Sequence, residues 1–563
     1  MNDKGSVIPG FVGVVSSQSL EPVNGLNDVE TILKTPKFQL FTYDNQKSNL
    51  KKYHVSDKYF LWTGGLGLEK DFKLDRFNNK KADHKFVCVK FSDSKLSIYT
   101  DHYSKIPLLY YFENETLYFS TSMELLLRIV GKEKKQTNLK GLMFYYNFGF
   151  TAFNHTLYDG VQSLSGGQKL TFNNGEIETE HYFNIFSIDN YNSNAIEKNI
   201  ELIDKYLLES TQSTLSSSDN IGIALSGGVD SGYLAQKINE FGKTFNAYTI
   251  GFKDDYNEFE RVDYLSDRLN FTTRKIILSP QEIISNYLEV SKNSSFPVGF
   301  NNSILNFIYK EASNDGVNIM FDGDGADRLF LGMNKYLQLK KILQFYALHK
   351  KLNTNSLFAN LLKLVKHPIA SKLRFYFTKF NNDFPFYGER KLPNSLIYDY
   401  EFESLLNEIA LPLELKKLSD STDKWLFFSF FSVYYTPTFF FHTPYELQLR
   451  HDIVSNPQFW SDDLVTLGLR IPVEQKLSRK TTKLVLREAA KLKIDDGYWN
   501  LSKIGLQNSY NYIKNSKEGR TFIDEQIKKV KQSDAFQLLQ EKMPDKNIDT
   551  ERLIPYTIWK EIN

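Results

Sequence analysis

A single cysteine, Cys88, is present in 563 residues, and that scarcity rules out an internal disulfide framework and any zinc site built on cysteines. A reducing compartment suits such a chain. Charge of one sign is also missing: 69 Lys and Arg stand against 67 Asp and Glu, so net charge gives no reason to expect nucleic acid as a partner. The opening MNDKGSVIPG has acid and proline where an export signal needs a basic start followed by an apolar stretch, so a cytoplasmic location is expected. One segment imitates a membrane span, the 21 residues from Trp425 to Tyr445 without Asp, Glu, Lys or Arg. Ser, Thr, Pro437 and Pro444 interrupt it and aromatics dominate it, so it reads as a buried helix that breaks near Pro437, with no membrane span. The phosphate-binding pattern GxxxxGKS or GxxxxGKT is absent as well, which excludes a Walker loop.

What is present divides the chain. Its length predicts two or three domains, and 45 Phe and 33 Tyr spread along it supply cores. Residues 1–185 are β-rich: FVGVV (Phe11 to Val15), KYFLWT (Lys58 to Thr63), KFVCVKF (Lys85 to Phe91), KLSIYT (Lys95 to Thr100), LLYYF (Leu108 to Phe112) and LYFST (Leu117 to Thr121) alternate with polar turns, as in a β-sandwich. A polar linker, IDNYNSN, follows. A helix with the apolar stripe Ile196, Ile200, Ile203 and Leu207 then opens a second domain, 195–563. From Ile221, strands (Ile221 to Leu225, Phe245 to Phe252, Thr273 to Leu278, Val317 to Phe321) alternate with helices (Glu258 to Leu269, Ser303 to Ser313), which predicts an α/β fold around a mainly parallel sheet. In such sheets ligands sit beyond the carboxyl ends of the strands. Residues 328–382 carry eleven Lys and Arg and no acid, so 335–400 reads as a basic helical insert, with Gln338 to Leu352 its clearest helix. It could receive a polyanion or an acidic peptide, or present solvated helix faces. The remainder is helical, with a charged tail at 516–551.

Two strand ends carry the chemistry. SGGVDS, Ser226 to Ser231, joins a strand to a helix N-terminus, an arrangement that aims backbone N–H groups and the positive helix end at one anion, pyrophosphate. Gly227 and Gly228 permit close approach. Asp230 beside a phosphate makes sense if magnesium bridges them. A Gly-Gly turn with an Asp cap is the plain alternative. FDGDGADRLF, Phe321 to Phe330, places Asp322, Asp324 and Asp327 at the fourth strand end; Asp230 and Asp327 could clamp magnesium on a triphosphate. A calcium loop is disfavoured because the EF-hand spacing is missing. KLSRKTTKLVLREAA, Lys476 to Ala490, reads as a helix start bearing Lys476, Lys480, Lys483 and Arg487, or as an ordinary basic helix.

Over almost its whole length the chain resembles the asparagine synthetase family. SGGVDS is similar to its ATP-pyrophosphatase loop, YTIGF to its TxGF, DGDGADRLFLG to its SG-D/E-GxDELFGG, and IPVEQKLSRKTTKLVLRE to its LP and KxxLRE. TDHYSKIPLLYY and TLYDGVQSLSGGQKL resemble RDxxGxxPLYY and TxYxGVxxLxPGxxL of its glutaminase domain. The resemblance implies an Ntn-hydrolase-like sandwich followed by a PP-loop synthetase domain. It implies a carboxylate activated by ATP as an acyl-adenylate and captured by an amine, giving an amide, AMP and pyrophosphate. It places adenine and ribose at the backbones near Leu225, Ile250 and Gly323, pyrophosphate at Ser226, Gly227, Gly228 and Ser231, and Asp322 within the same nucleotide site. Mg2+ falls to Asp230 and Asp327, adenylation and amine deprotonation to Asp324, and stabilisation of the intermediate to Lys483.

Departures from the family's patterns shape the functional expectation. Its glutaminase members begin with cysteine in CGIxGI, where this chain has PGFVGVV, with Pro9 in that place. NGExYN becomes TGGLGL (Thr63 to Leu68), and GDFAF becomes HKFVC (His84 to Cys88), so an inactive glutaminase-like domain is expected. SG becomes Asp322-Gly323, the glutamate of DEL becomes Arg328, DEP becomes SFP (Ser295 to Pro297), and HTPYELQLR (His442 to Arg450) replaces DxxSM. An acid that could hold a substrate ammonium is thereby missing, against free aspartate as substrate. Three functions follow: an AMP-forming amide ligase acting on a small-molecule or peptide carboxylate, with relatives among β-lactam synthetases and lasso-peptide macrolactam cyclases; an ammonia-using asparagine synthetase; or a non-catalytic scaffold. In the first, the basic insert could receive a precursor peptide or maturation partner.

Overall fold

The computed structural model describes residues 8–44, 52–65 and 85–562 apart from short gaps within them; of 365–440 it describes only Trp425, Ser429 and Val433. Most of Trp425 to Tyr445, the basic insert beyond Leu364, and Leu66 to His84 therefore lie outside the described residues. Trp425 and Val433 are helical and buried, and among the described residues no helix is long and apolar enough to cross a membrane.

Alternation of apolar and polar residues builds the N-terminal part as two six-stranded antiparallel sheets. One orders Gln162–Ser163, Leu109–Glu113, Thr116–Ser120, Gly10–Ser16, Phe38–Tyr43 and Glu30–Lys34; the other orders Glu176–His181, Gln168–Asn173, Lys95–Thr100, Val87–Phe91, Tyr59–Trp62 and Tyr53–Val55. In Val87–Phe91 the two-residue period sends Val87 and Val89 into the core with Phe11, Phe60, Trp62 and Phe119. Cys88 points the other way, against Leu61 and Phe86. Phe11 meets Phe60 edge-on at 5.0 Å and Trp62 at 5.9 Å. Each such side chain, fully buried, contributes roughly 1.5–3 kcal/mol. The aromatic load is core. Two helices, Met123–Val130 and Leu139–Phe148, make this part α+β.

Helix Ile196–Leu215 begins the second part, with Ile203 and Leu207 of its stripe fully buried. The sheet behind it runs Phe271–Leu278, Phe245–Phe252, Ile221–Ala224, Ile319–Phe321, Val454–Ser455, every pairing parallel. Four of these strands follow the sequence pattern. The fifth is two residues long, too short to show any period. The helix expected over Lys476 to Ala490 is corrected: Val473–Lys476 ends at extended Leu477, a Ser478–Thr481 turn intervenes, and a new helix, Leu484–Lys491, starts after Lys483 at φ 54°. Of the insert, Lys335–Lys351 and Asn355–Leu362 are helical.

One helix ties the two parts together. His442–Arg450 lays Tyr445 and Leu449 into the sandwich core, and Trp62 Nε1 donates to the Tyr445 hydroxyl at 2.6 Å. Lys52 pairs with Asp452 at 2.9 Å and His102 with Asp462 at 2.9 Å.

Candidate active site

Strands Ile221–Ala224 and Ile319–Phe321 are direct neighbours, with Ile223 opposite Phe321, so the loops leaving their carboxyl ends touch. Gly323 makes that contact possible: a Cβ there would stand 2.9 Å from the Cβ of Asp230. Asp230 lies in the first turn of helix Val229–Glu240, Asp327 in the short helix Ala326–Leu329. Both carboxylates converge on one ammonium. Lys483 Nζ sits 2.6 Å from Asp327 Oδ1 and also pairs with Asp230 Oδ2. Burial opposes the Lys483 charge, yet Asp230 and Asp327 hold its pKa above the ordinary lysine value. Gly332 lies against this bridge, where a Cβ would come within 1.8 Å of Asp327 Oδ1 and 1.9 Å of Lys483 Cε.

The glycine loop is fixed from within and from behind. Ser226 N donates to Ser231 Oγ at 3.1 Å, Gly228 N to Ser226 Oγ at 3.4 Å, and Gly227 takes φ +66°. Tyr498 donates its hydroxyl to the carbonyls of Gly227 at 2.6 Å and Gly228 at 3.1 Å, while Arg261 Nη1 reaches Gly227 O at 3.3 Å and its guanidinium lies 4.8 Å over the Tyr498 ring. Neither Arg261 nor Tyr498 belongs to a motif, since each sits in a helix of ordinary composition outside the loop. Leu225 N continues the sheet by donating to Tyr248 O at 2.9 Å, and Ile250 is buried in the adjoining strand.

The acidic turn is held open by its own hydrogen bonds. Asp322 accepts from Asp324 N at 3.0 Å and from Ser455 Oγ, on the short edge strand, at 2.7 Å; Asp324 accepts from Gly325 N at 2.9 Å. Burial, reinforced by the charge of Asp322, pushes the Asp324 carboxyl up to about 6. Both acids line a cavity of about 240 Å³ whose other walls include Tyr309, Gln448, Lys85 and Lys105. The two lysines belong to the N-terminal part, are each 2% exposed, and lie in the segments HKFVC and TDHYSKIPLLYY. Lys85 Nζ donates to Gln448 Oε1 at 3.3 Å.

The segment SFP lacks an acid of its own, but a carboxylate stands against it. Buried Glu446, from His442–Arg450, accepts from Ser294 Oγ at 2.8 Å and Ser295 N at 3.1 Å. Burial raises its pKa, the two serines opposing this. HTPYELQLR thus brings an acid to this corner from a distant part of the sequence, with its oxygens engaged by the two serines.

Among the described residues no group of three or more His, Cys, Asp and Glu gathers as an all-protein metal cage. Asp230 and Asp327, both within ion-pair reach of a single cation, are a donor set suited to a hard divalent ion that completes its shell with phosphate oxygens. In the N-terminal part, Pro9 is buried at the start of strand Gly10–Ser16. Cys88 is fully buried, and burial drives its thiol pKa up, which leaves it inert.

Comparison with known proteins agrees with this layout. The family model described as asparagine synthase matches residues 202–552, and that described as a glutamine amidotransferase domain matches 78–183. The chain is 23% identical over 276 residues to asparagine synthetase (glutamine-hydrolyzing) 1 of Bacillus subtilis, covering 48% of this chain and 43% of that protein. The chain thus spans less than half the length of that relative. Among solved structures, NMN synthetase from Francisella tularensis is 16% identical with a TM-score of 0.19, covering 24% of this chain and 58% of its own. Glutamine PRPP amidotransferase from B. subtilis is 9% identical with a TM-score of 0.18, covering 56% and 76%. Likeness at that level bears on nothing further.

Proposed function

The chain belongs to the asparagine synthase family, and from that premise we propose that it is an ATP-dependent, AMP-forming amide ligase. One observation carries the reading: Asp230, Asp327 and Lys483, from three separated segments, meet where two adjoining strand tips end. A scaffold would have no use for that convergence.

In this reading the pyrophosphate of ATP lies against Ser226, Gly227, Gly228 and Ser231, with adenine and ribose at the backbones near Leu225, Ile250 and Gly323. Asp230 and Asp327 hold Mg2+, which supplies neutralising charge for the departing pyrophosphate. A substrate carboxylate oxygen attacks the α-phosphorus, and the bond to the β-phosphate oxygen breaks with its electron pair leaving on pyrophosphate. The amine nitrogen then attacks the acyl carbon, the bond to AMP breaks, and the surplus amine proton passes to Asp324. Lys483 stabilises the negative charge that develops at each step. Closure of a macrolactam within a peptide natural product is one form of this reaction, with a precursor peptide docking on the basic insert 335–400.

Pyrophosphate release from Mg-ATP, assayed with candidate carboxylates and amines and with aspartate plus ammonium, tests the proposal. Asp230→Ala is expected to reduce release by about a hundredfold or more, in line with the loss of a charge-stabilising group. Release unchanged by that substitution would remove the metal role from Asp230. Pro9, buried Cys88 and Lys85 at the acid position of GDFAF support a glutaminase-like domain without glutaminase activity. Glutamine incubated with the protein is expected to yield no glutamate above background; turnover would overturn this part.

A further inference from the structure

Two helices that pack against each other line the cavity beside the acidic turn. Leu305, Ile308 and Tyr309 recur at three- and four-residue spacing on Leu305–Asn314, so one face of that helix presents all three. Phe441, Pro444 and Gln448 recur in the same way on His442–Arg450 and the residue that caps it. This second stripe belongs to HTPYELQLR and its neighbour, the segment that departs from the DxxSM of the family. The surface the two stripes give the cavity is mainly carbon.

The polar groups of the cavity are matched among themselves. Lys85 donates to Gln448 at 3.3 Å, and Gln448 donates to Tyr309 at 3.2 Å. Asp322 accepts from Ser455 at 2.7 Å and from Asp324 N at 3.0 Å. Asp322 and Asp101 support the charge of Lys85, and Asp101 stands beside Lys105. A guest therefore has no wall charge to neutralise. What the cavity offers it is carbon surface and, on the border, the Asp324 carboxyl.

Position decides which reactant belongs here. ATP and the carboxylate that attacks its α-phosphorus meet at the glycine loop and at the bridge of Asp230, Lys483 and Asp327. Among the described residues that line the cavity, none comes from SGGVDS, and neither Asp327 nor Lys483 is present. Asp324, the acceptor of the amine proton in the reading above, does line it. Ammonia would leave the carbon walls unfilled, and an amino acid would need a lysine freed from its partners to receive its carboxylate. We propose that the cavity binds the amine substrate as a primary amine with an apolar body, a branched alkyl or single aromatic group, its nitrogen toward Asp324 and its carbon against Leu305, Ile308, Phe441 and Pro444. The proposal rests on the ligase reading and deepens it by naming the class of amine. Size agrees. An apolar protein cavity of about 150 Å³ takes up benzene, so one of about 240 Å³ admits a ring with a short chain.

Calorimetry on the full chain tests this with ammonium, the n-alkylamines from methylamine to hexylamine, 2-phenylethylamine, and carboxylates of the same chain lengths. Amine affinity is expected to rise about fourfold per added methylene, the worth of one buried CH2 group, until the cavity is full. The carboxylates should show no such climb. Ile308→Phe, which fills the space with side chain, is expected to weaken 2-phenylethylamine by about tenfold or more, the loss of two or so buried methylenes, and to end the climb at a shorter amine. Ammonium binding as tightly as hexylamine, affinities flat across the series, or an Ile308→Phe protein that folds and binds like the parent would each overturn the proposal. Carboxylates that climb as steeply as the amines would also overturn it and give the cavity to the acyl substrate. The chain-length series needs no variant, so it stands even where the substitution prevents folding. Binding is read without turnover, which keeps the two claims apart. A protein that follows the series but releases no pyrophosphate with any carboxylate loses the ligase reading and keeps the amine site; one that releases pyrophosphate while its amine affinities stay flat does the reverse.

Discussion

Replacing Lys483 with methionine is expected to lower pyrophosphate release by about a hundred- to a thousandfold, the range for removing one preorganised donor from developing charge. The side chain is nearly the same length and the site is buried, so packing changes little. What disappears is the one ammonium that Asp230 and Asp327 share. Left facing each other, the two carboxylates repel. A second signature follows from that repulsion. Added MgCl2 should raise the melting temperature of the methionine variant more than that of the parent, because the ion meets no competing ammonium. A variant with full activity would remove Lys483 from the chemistry, and one whose melting temperature ignores magnesium would remove the carboxylate pair from metal binding.

Asp324→Asn is expected to cost about a hundredfold in kcat with ammonium or amine as co-substrate, within the range for loss of a general base. The pH profile is the sharper readout. Burial and then the charge of Asp322 bring the Asp324 carboxyl to about 6. A carboxyl can take a proton only when ionised, so the parent's rate should climb as pH rises through about 6 and level off above it. Asparagine cannot titrate, and the variant should show no such limb. The limb surviving in the variant would assign it to another group. Asp322 and Asp324 are close enough to share their titration, and the limb then reports the pair, with Asp322→Asn moving its midpoint downward by removing the like charge.

Much of this site could be read from the chain because its parts are local. SGGVDS and DGDGADR each need only a strand, a turn and a helix start to do their work, and those follow from a few neighbouring residues. Lys483 was legible only through family resemblance. Its position depends on a break in what periodicity presents as one helix, and the positive φ at a lysine has no compositional signature. The grip of Tyr498 and Arg261 on the glycine loop has no signature in the sequence because it arises from tertiary contacts, across 271 residues for Tyr498 and 34 for Arg261. Lys85 and Glu446 illustrate the same point for charge. Within its own strand pattern Lys85 is one polar residue ahead of an apolar run, and Glu446 is one acid in a mixed helix. Only tertiary packing puts the first into a cavity and the second against Ser294 and Ser295. The edge strand Val454–Ser455 was invisible by length, yet Ser455 is what holds Asp322 in place.

The Trp62–Tyr445 hydrogen bond and the seating of Leu449 among the sandwich side chains have a structural corollary. The N-terminal half cannot be cut away without opening both halves, since its interior is completed by a helix borrowed from the other half and two of its lysines line the neighbouring chamber.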